Sequence, residues 1–381
     1  KILVGSLLVG AVSFGMLSVS QTDVSAMGGK PGADSSSGKT YDATFYVAGM
    51  GGHFAKAVTK IDPSADQPIQ LQGAVTKIDI GGRPDHPTHD ARIDNNDRNT
   101  MFWSTYKIDK EVNGVHVGKT DLRTGNIIQD VVVDVPPEAT NTKSMYCASG
   151  QTKDHFPISM TSKAYIDVFT KKDLKRVQRV LLEGTEAAIP TPYKFYHGNT
   201  NNAMTKLLII ANEADKDHGK TNGKVHLVEL DAAAFVNGDI KVLNKGVIAG
   251  TPKSITFRAY YSPDDSKIAV SGGDVMFLVD AKTLTAIDTE PVSSIDHNHD
   301  AIFTPDGKYI IATSRWKQAG PECEDPMKPK AGEFTMDGVL KLYDVEKKMF
   351  IGKHTSVCLT CHTPEGVEEH AILCGLDGNF N

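Results

Sequence analysis

Blocks of basic residues are missing from this sequence. Its 41 Lys and Arg and 47 Asp and Glu are spread along the chain and leave a net charge of −6, so nucleic acid is not an expected partner. Cysteine is scarce. Five in an exported chain would usually be read as disulfides, but an odd number leaves at least one unpaired, which weakens a pure disulfide reading. After the first 17 residues there is no second long apolar run, so no membrane span is expected beyond the N-terminal segment. Sustained helical periodicity is also lacking after the N-terminal segment. No phosphate-binding glycine loop, no Ser-His-Asp order and no paired-carboxylate motif stands out.

What is present begins with targeting. Lys1 precedes an apolar run from Ile2 to Leu17, and a short polar stretch ends at Val24-Ser25-Ala26. A basic start, an apolar core and small residues at the end form a secretory signal. Cleavage is expected after Ala26, and the alternative is an uncleaved anchor. Residues 27–40 read as a flexible Gly/Ser-rich leader, and 41–381 as one all-β domain in a periplasmic or other extracytoplasmic compartment, with no membrane contact after cleavage.

A repeat organises that domain. Its clearest unit runs from His299 to Thr313: a strand, the turn Pro305-Asp306-Gly307, and a second strand. Further strands are expected at 338–345 and 349–351. The same grammar recurs at Tyr260 to Asp280 and at Lys206 to Asp231, with weaker copies near His89 and Ser144. Units starting near 89, 144, 197, 257, 299 and 370 predict a β-propeller of six blades, or seven if two weak units are merged between 44 and 190. Residues 44–49 look like a second strand without a first, and 370–376 like a first strand without a second. Pairing them would close the ring and remove its free edges.

The repeats resemble YVTN-type propellers, the propellers of the d-haem nitrite reductases and that of the methylamine dehydrogenase heavy subunit. This resemblance implies a fold and a periplasmic setting. It does not imply an activity.

Cys358-Leu359-Thr360-Cys361-His362 has the spacing for covalent haem c. Two thiols a short loop apart take two vinyl groups, and the adjacent imidazole becomes the proximal iron ligand. The expected haem-attachment loop is 355–369. A Cys358–Cys361 disulfide, or zinc drawing on Cys374, His354 and His370, are the alternatives. Aligning units on their turns brings His89, His197, His299 and His370 to one position, expected as a ring at a mouth of the channel. They are candidate distal or second-metal ligands, with His370 and His299 ranked first and His86, His297 and His197 after them. The competing reading is structural, with Asp90 and Asp300 as hydrogen-bond partners. Asp215, Asp217 and His218 form a polar loop with calcium-ligand residue types but no EF-hand spacing, and a solvated turn is the better reading. Cys147 and Cys323 are a possible pair.

Two functions follow from these motifs. One is electron transfer by an exported c-type haem propeller, alone or as a redox subunit acting on small inorganic nitrogen or sulfur species with a redox partner protein. The other is a non-catalytic propeller that scaffolds multihaem subunits in a hetero-oligomer, as in hydrazine synthase, its Cys-x-x-Cys-His being vestigial, a disulfide or zinc-binding.

Overall fold

The computed structural model describes residues 39–49, 52–80, 88–105, 108–136, 146–160, 164–189, 191–215, 220–294, 296–319, 334–358 and 373–381. Its strands are ordered as six antiparallel blades. The first blade holds β1 (Tyr41–Gly49), β2 (His53–Ile61) and a split outer strand, β3 (Ile69–Leu71) and β4 (Thr76–Asp79), both halves pairing with β2. The second blade is β5 (Thr88–Ile93), β6 (Thr100–Thr105), β7 (Val115–Asp121) and β8 (Ile127–Val133). The third is β9 (Tyr146–Ala148), β10 (His155–Met160), β11 (Tyr165–Thr170) and β12 (Arg176–Leu181). The fourth is β13 (Tyr193–Thr200), β14 (Lys206–Ala214), β15 (Thr221–Asp231) and β16 (Val242–Ala249), with a one-turn helix α1 (Ala232–Val236) capped by Asp231. The fifth is β17 (Arg258–Tyr261), β18 (Lys267–Ser271), β19 (Val275–Asp280) and β20 (Thr285–Pro291). The sixth is β21 (Asp296–Phe303), β22 (Tyr309–Ala319), β23 (Phe334–Asp344) and β24 (Met349–Cys358).

The last strand, β25 (Leu373–Phe380), joins the first blade by pairing with β1, from Ala43 opposite Phe380 to Gly49 opposite Leu373. It is that blade's innermost strand and packs against both β5 and β21. Six blades and closure by the terminal strands are as the repeat pattern predicts. No helix among the described residues is long and apolar enough to cross a membrane.

The sequence favours this stacking because the middle strands are apolar on both faces. In Leu207-Leu208-Ile209-Ile210-Ala211, the odd positions pack against Ile166 and Val168 of the third blade. The even positions pack against Val270 and Phe277 of the fifth. Each neighbouring pair of blades encloses one such core, and middle strands such as β14, β15, β18, β19 and β22 contribute to two seams. The turns are fixed by chemistry. Gly307 adopts φ +70, and Asp265 stands in the equivalent left-handed position at φ +56, a conformation Asp tolerates better than branched residues.

One element differs from expectation. β24 runs on to Cys358, so Thr355 to Cys358 belong to a strand and not to a loop. Apolar Val357 is buried, and the Thr355 hydroxyl donates to the Ile69 carbonyl of the first blade while accepting from Gln67 Nε2 at 3.0 Å. These contacts hold the strand beyond the point where its β-forming sequence, Met349-Phe350-Ile351, ends.

Candidate functional site

The channel is defined by the inner strands, and their registers fix which side chains share a level. The residues that close the four best-matched hairpins are Asp94, Asn201, Ser262 and Thr304, each donating its backbone N–H across the turn. Four residues before each lie Asp90, His197, Arg258 and Asp300. These four therefore occupy one level. His197 is equivalent to Asp300 and not to His299, which corrects the alignment made on the turns. His89 and His299 are equivalent, because each lies where the register shifts, between Thr88 and Asp90 and between Asn298 and Asp300. A slip of one residue matters because side chains alternate between faces with period two.

The level is a fully buried charge network. Asp90 meets Arg92 Nη1 at 2.8 Å, Arg258 Nε at 3.1 Å and His197 Nε2 at 3.2 Å. Ser149, just after β9, donates to Asp90 Oδ2 at 2.8 Å. Arg92 reaches Asp300 at 3.3 Å and the Leu376 carbonyl at 3.2 Å, and its guanidinium lies over the Tyr260 ring at 4.8 Å. Asp300 also accepts from the Leu376 N–H at 2.7 Å. Every blade contributes a group, so one cluster joins all six.

The electrostatics follow from burial and pairing. Burial alone would raise the Asp90 carboxyl, but Arg258 and Arg92 outweigh it and hold it well below the usual carboxylate range. Asp300 shares only Arg92 closely, and burial pushes its carboxyl up. His197 is pushed down to about 3 by burial and then by Arg258, so it is neutral in the folded protein.

This arrangement has the composition of a Ser-His-Asp triad but not its connectivity. Ser149 and Asp90 meet the same nitrogen, His197 Nε2, so no proton can pass through the ring from one to the other. The network is a structural plug across the channel. On the hairpin-turn side of it lies a small cavity of about 210 Å³, lined by Arg92, Asn199, Tyr260 and Asp377 among others. Asn199 already donates to Ala259 O, Tyr260 to Leu376 O, and Asp377 accepts from Ile93 N, so this cavity is largely an interblade clamp.

A stability consequence follows for His197. In the unfolded chain its imidazole titrates near 6.5, far above its folded value. Between those values the unfolded state binds more protons, so this group's contribution is complete above about 6.5 and is lost as pH falls toward 3. Asp300, raised on folding, contributes with the opposite sign. Denaturation of the wild type and His197→Gln at several pH values between 7 and 4 isolates the histidine. The wild type is expected to lose stability more steeply toward acid, and parallel curves would refute this.

On the other side of the plug lies the backbone of Cys358, the one residue of the sequence-predicted motif among the described residues. Cys358 ends β24 opposite Gly338, Gly338 is opposite Arg315, and Arg315 is opposite His297. One row thus crosses the sixth blade from outer to inner strand. His299 is fully buried and stacks on Phe257, the residue at its own level in the next blade, at 4.5 Å and 15°. His297 lies against the same ring at 5.1 Å, and the Arg315 guanidinium lies over it at 5.8 Å. Cys361, His362, His370 and His86 lie outside the described residues, as do Cys323, Asp217 and His218. Cys147 is buried on β9. Among the described residues no group of three or more His, Cys, Asp or Glu is placed to hold a metal ion.

No protein-family profile matches the chain, and no curated protein does. Solved structures do. A protein of unknown function from Bacteroides caccae aligns over 88% of this chain and 98% of its own at 11% identity, with a TM-score of 0.51. Hydrazine synthase of Kuenenia stuttgartiensis aligns over 76% of this chain and 69% of its own at 13% identity, with a TM-score of 0.46. Identities this low speak to fold alone, and that fold is the propeller.

Proposed function

We propose that this protein is an exported c-type haem propeller that passes electrons to or from a partner, alone or within a larger oxidoreductase acting on small inorganic nitrogen or sulfur species. The reading rests on Cys358-x-x-Cys361-His362. One structural observation supports it: Cys358 is the last residue of β24, in one row with Gly338, Arg315 and His297. Cys358 and Cys361 would form the two thioethers, and His362 would bind the iron. Bound there, the haem supplies a reversible one-electron centre. Gly338 leaves its place in the row without a side chain, and a glycine inside a strand often marks close approach of a ligand. The chain's own contribution is to fix Cys358 on a strand whose neighbour Thr355 is tied to the first blade.

A scaffold role is the second reading. It is favoured by exposed apolar side chains on the outer strands of three successive blades, among them Ile128 on β8, Val177 on β12 and Val247 on β16. Exposed apolar side chains on outer strands are available to a protein partner.

Protein made in a host competent for cytochrome c maturation should show a Soret band and a mass increment that survives denaturation. Cys361→Ala should lose most of the stable haem. A colourless wild type of unmodified mass would overturn the redox reading and leave the scaffold.

A further inference from the structure

His116 carries a carboxylate on each ring nitrogen. Nδ1 lies 2.9 Å from Asp130 Oδ1 on β8, and Nε2 lies 3.2 Å from Asp109 Oδ2, in the loop that joins β6 to β7. A carboxylate accepts hydrogen bonds and cannot donate them, so both nitrogens must carry hydrogen and the ring is an imidazolium. The side chain is buried, and the backbone N–H of His116 donates to Thr105 Oγ1 at 2.9 Å, which fixes where the ring stands. Among the described residues the charges that act on the ring are those of Asp130 and Asp109. The neighbouring strand β6 presents uncharged Thr105 and Trp103 on the same face. The hydrogen bond to Asp130, joined by that to Asp109, outweighs burial and raises the ring above 6.5.

The three groups come from three elements. Asp109 opens the loop: its N–H donates to Gly114 O at 2.8 Å, and its carbonyl accepts from Gly114 N at 3.2 Å. Gly114 lies so close to β8 that a Cβ there would stand 2.6 Å from Val132 Cγ1 and 2.8 Å from the Val133 carbonyl oxygen. The loop is therefore seated on the outer strand of the second blade, and His116, on β7, reaches both. A neutral imidazole has one N–H, so loss of the proton turns a lone pair toward one of the two carboxylates. Asp109 is the one to give way. Its bond is the longer, and its other oxygen, Oδ1, already accepts from Glu111 N at 2.8 Å.

We propose that His116 is a pH-operated latch, which as imidazolium pins loop 109–114 to β8 and as imidazole releases it, uncovering the β8 edge at Val132 and Val133. The folded pKa is raised, so the latch is complete below 6.5 and opens as pH rises through the folded value. It works the same way with or without haem.

The test uses the full chain. Nitrogen NMR of the His116 ring, assigned by its loss in His116→Gln, should show both nitrogens protonated at about pH 5. The ring should then titrate above 6.5. Amide hydrogen exchange of loop 109–114, corrected for intrinsic rates, should lose protection across the same titration. Linkage sets the size, up to tenfold for each unit by which the folded pKa exceeds 6.5. Asp109→Asn, whose amide can donate or accept, should bring the titration down toward 6.5 and leave loop protection independent of pH. A wild-type ring that titrates at or below 6.5 would overturn the latch. Loop protection indifferent to the titration would do the same, as would an Asp109→Asn that behaves as wild type. If Asp109→Asn fails to accumulate, His116→Gln answers instead, since it should abolish the pH-dependent step in loop exchange.

Discussion

Asp90→Ala is expected to cost about 3–5 kcal/mol of folding stability, because it strips the shared counter-ion from two buried guanidinium groups. Arg92 would keep Asp300 at 3.3 Å, but Arg258, with no exposed surface, would lose its paired carboxylate. His197 and Ser149 would lose an acceptor in the same step. The coupling gives the test its force. If the damage comes from an uncompensated charge, Asp90→Ala combined with Arg258→Met should be less destabilised than the sum of the single variants. Chemical denaturation of the three variants and the wild type measures this. Strict additivity, or a loss of less than about 1 kcal/mol for Asp90→Ala, would mean that the network contributes little beyond filling space.

A larger effect is expected from removing β25. A chain ending at Glu369 would lose the innermost strand of the first blade, all of its pairing with β1, and the Leu376 groups that hold Asp300 and Arg92. It would also strip Phe380 from the core between the first and sixth blades, where it meets Phe45 edge-on at 5.8 Å. Ring closure would be lost, and β1 would present unpaired donors and acceptors. The expected result is no cooperative melt and little soluble protein. A truncated chain that melts like the full-length one would show that β25 does not close the ring.

The contrast between these two sites shows what the sequence made legible. Closure could be read because it depends on local grammar: a turn such as Thr304-Pro305-Asp306-Gly307, and strand-like segments lacking a partner near both ends. Double-sided apolar runs such as Leu207 to Ala211 announced strands packed on both faces. The plug could not be read, because its bonds join residues such as Asp90 and His197, or Arg92 and Asp300, that are far apart in the chain. Asp90 and Arg92 on β5 and Arg258 on β17 did leave a signal, since they are the Asp, Glu, Lys and Arg charges of two inner strands that are otherwise free of them. His197 was misplaced for a different reason. Lys206 and Lys308 look alike in sequence, but the hydrogen bonds match Lys206 with Tyr309, and that slip moved the level of the fourth blade by one. β24 was drawn short because its last residues are held by Gln67 and Ile69, contacts that leave no local mark.

The pairing of β1 with β25 also has a consequence for biogenesis. On a ribosome β1 emerges first and β25 last of these strands, so Ala43 waits for Phe380 through nearly the whole of synthesis. Contacts so distant in sequence make folding slow. Throughout that wait one side of β1 is an open template for any passing strand. If the chain crosses a membrane before folding, as its N-terminal segment suggests, the vulnerable period falls after translocation. Holdase chaperones there would then govern yield more than the final stability of the ring does.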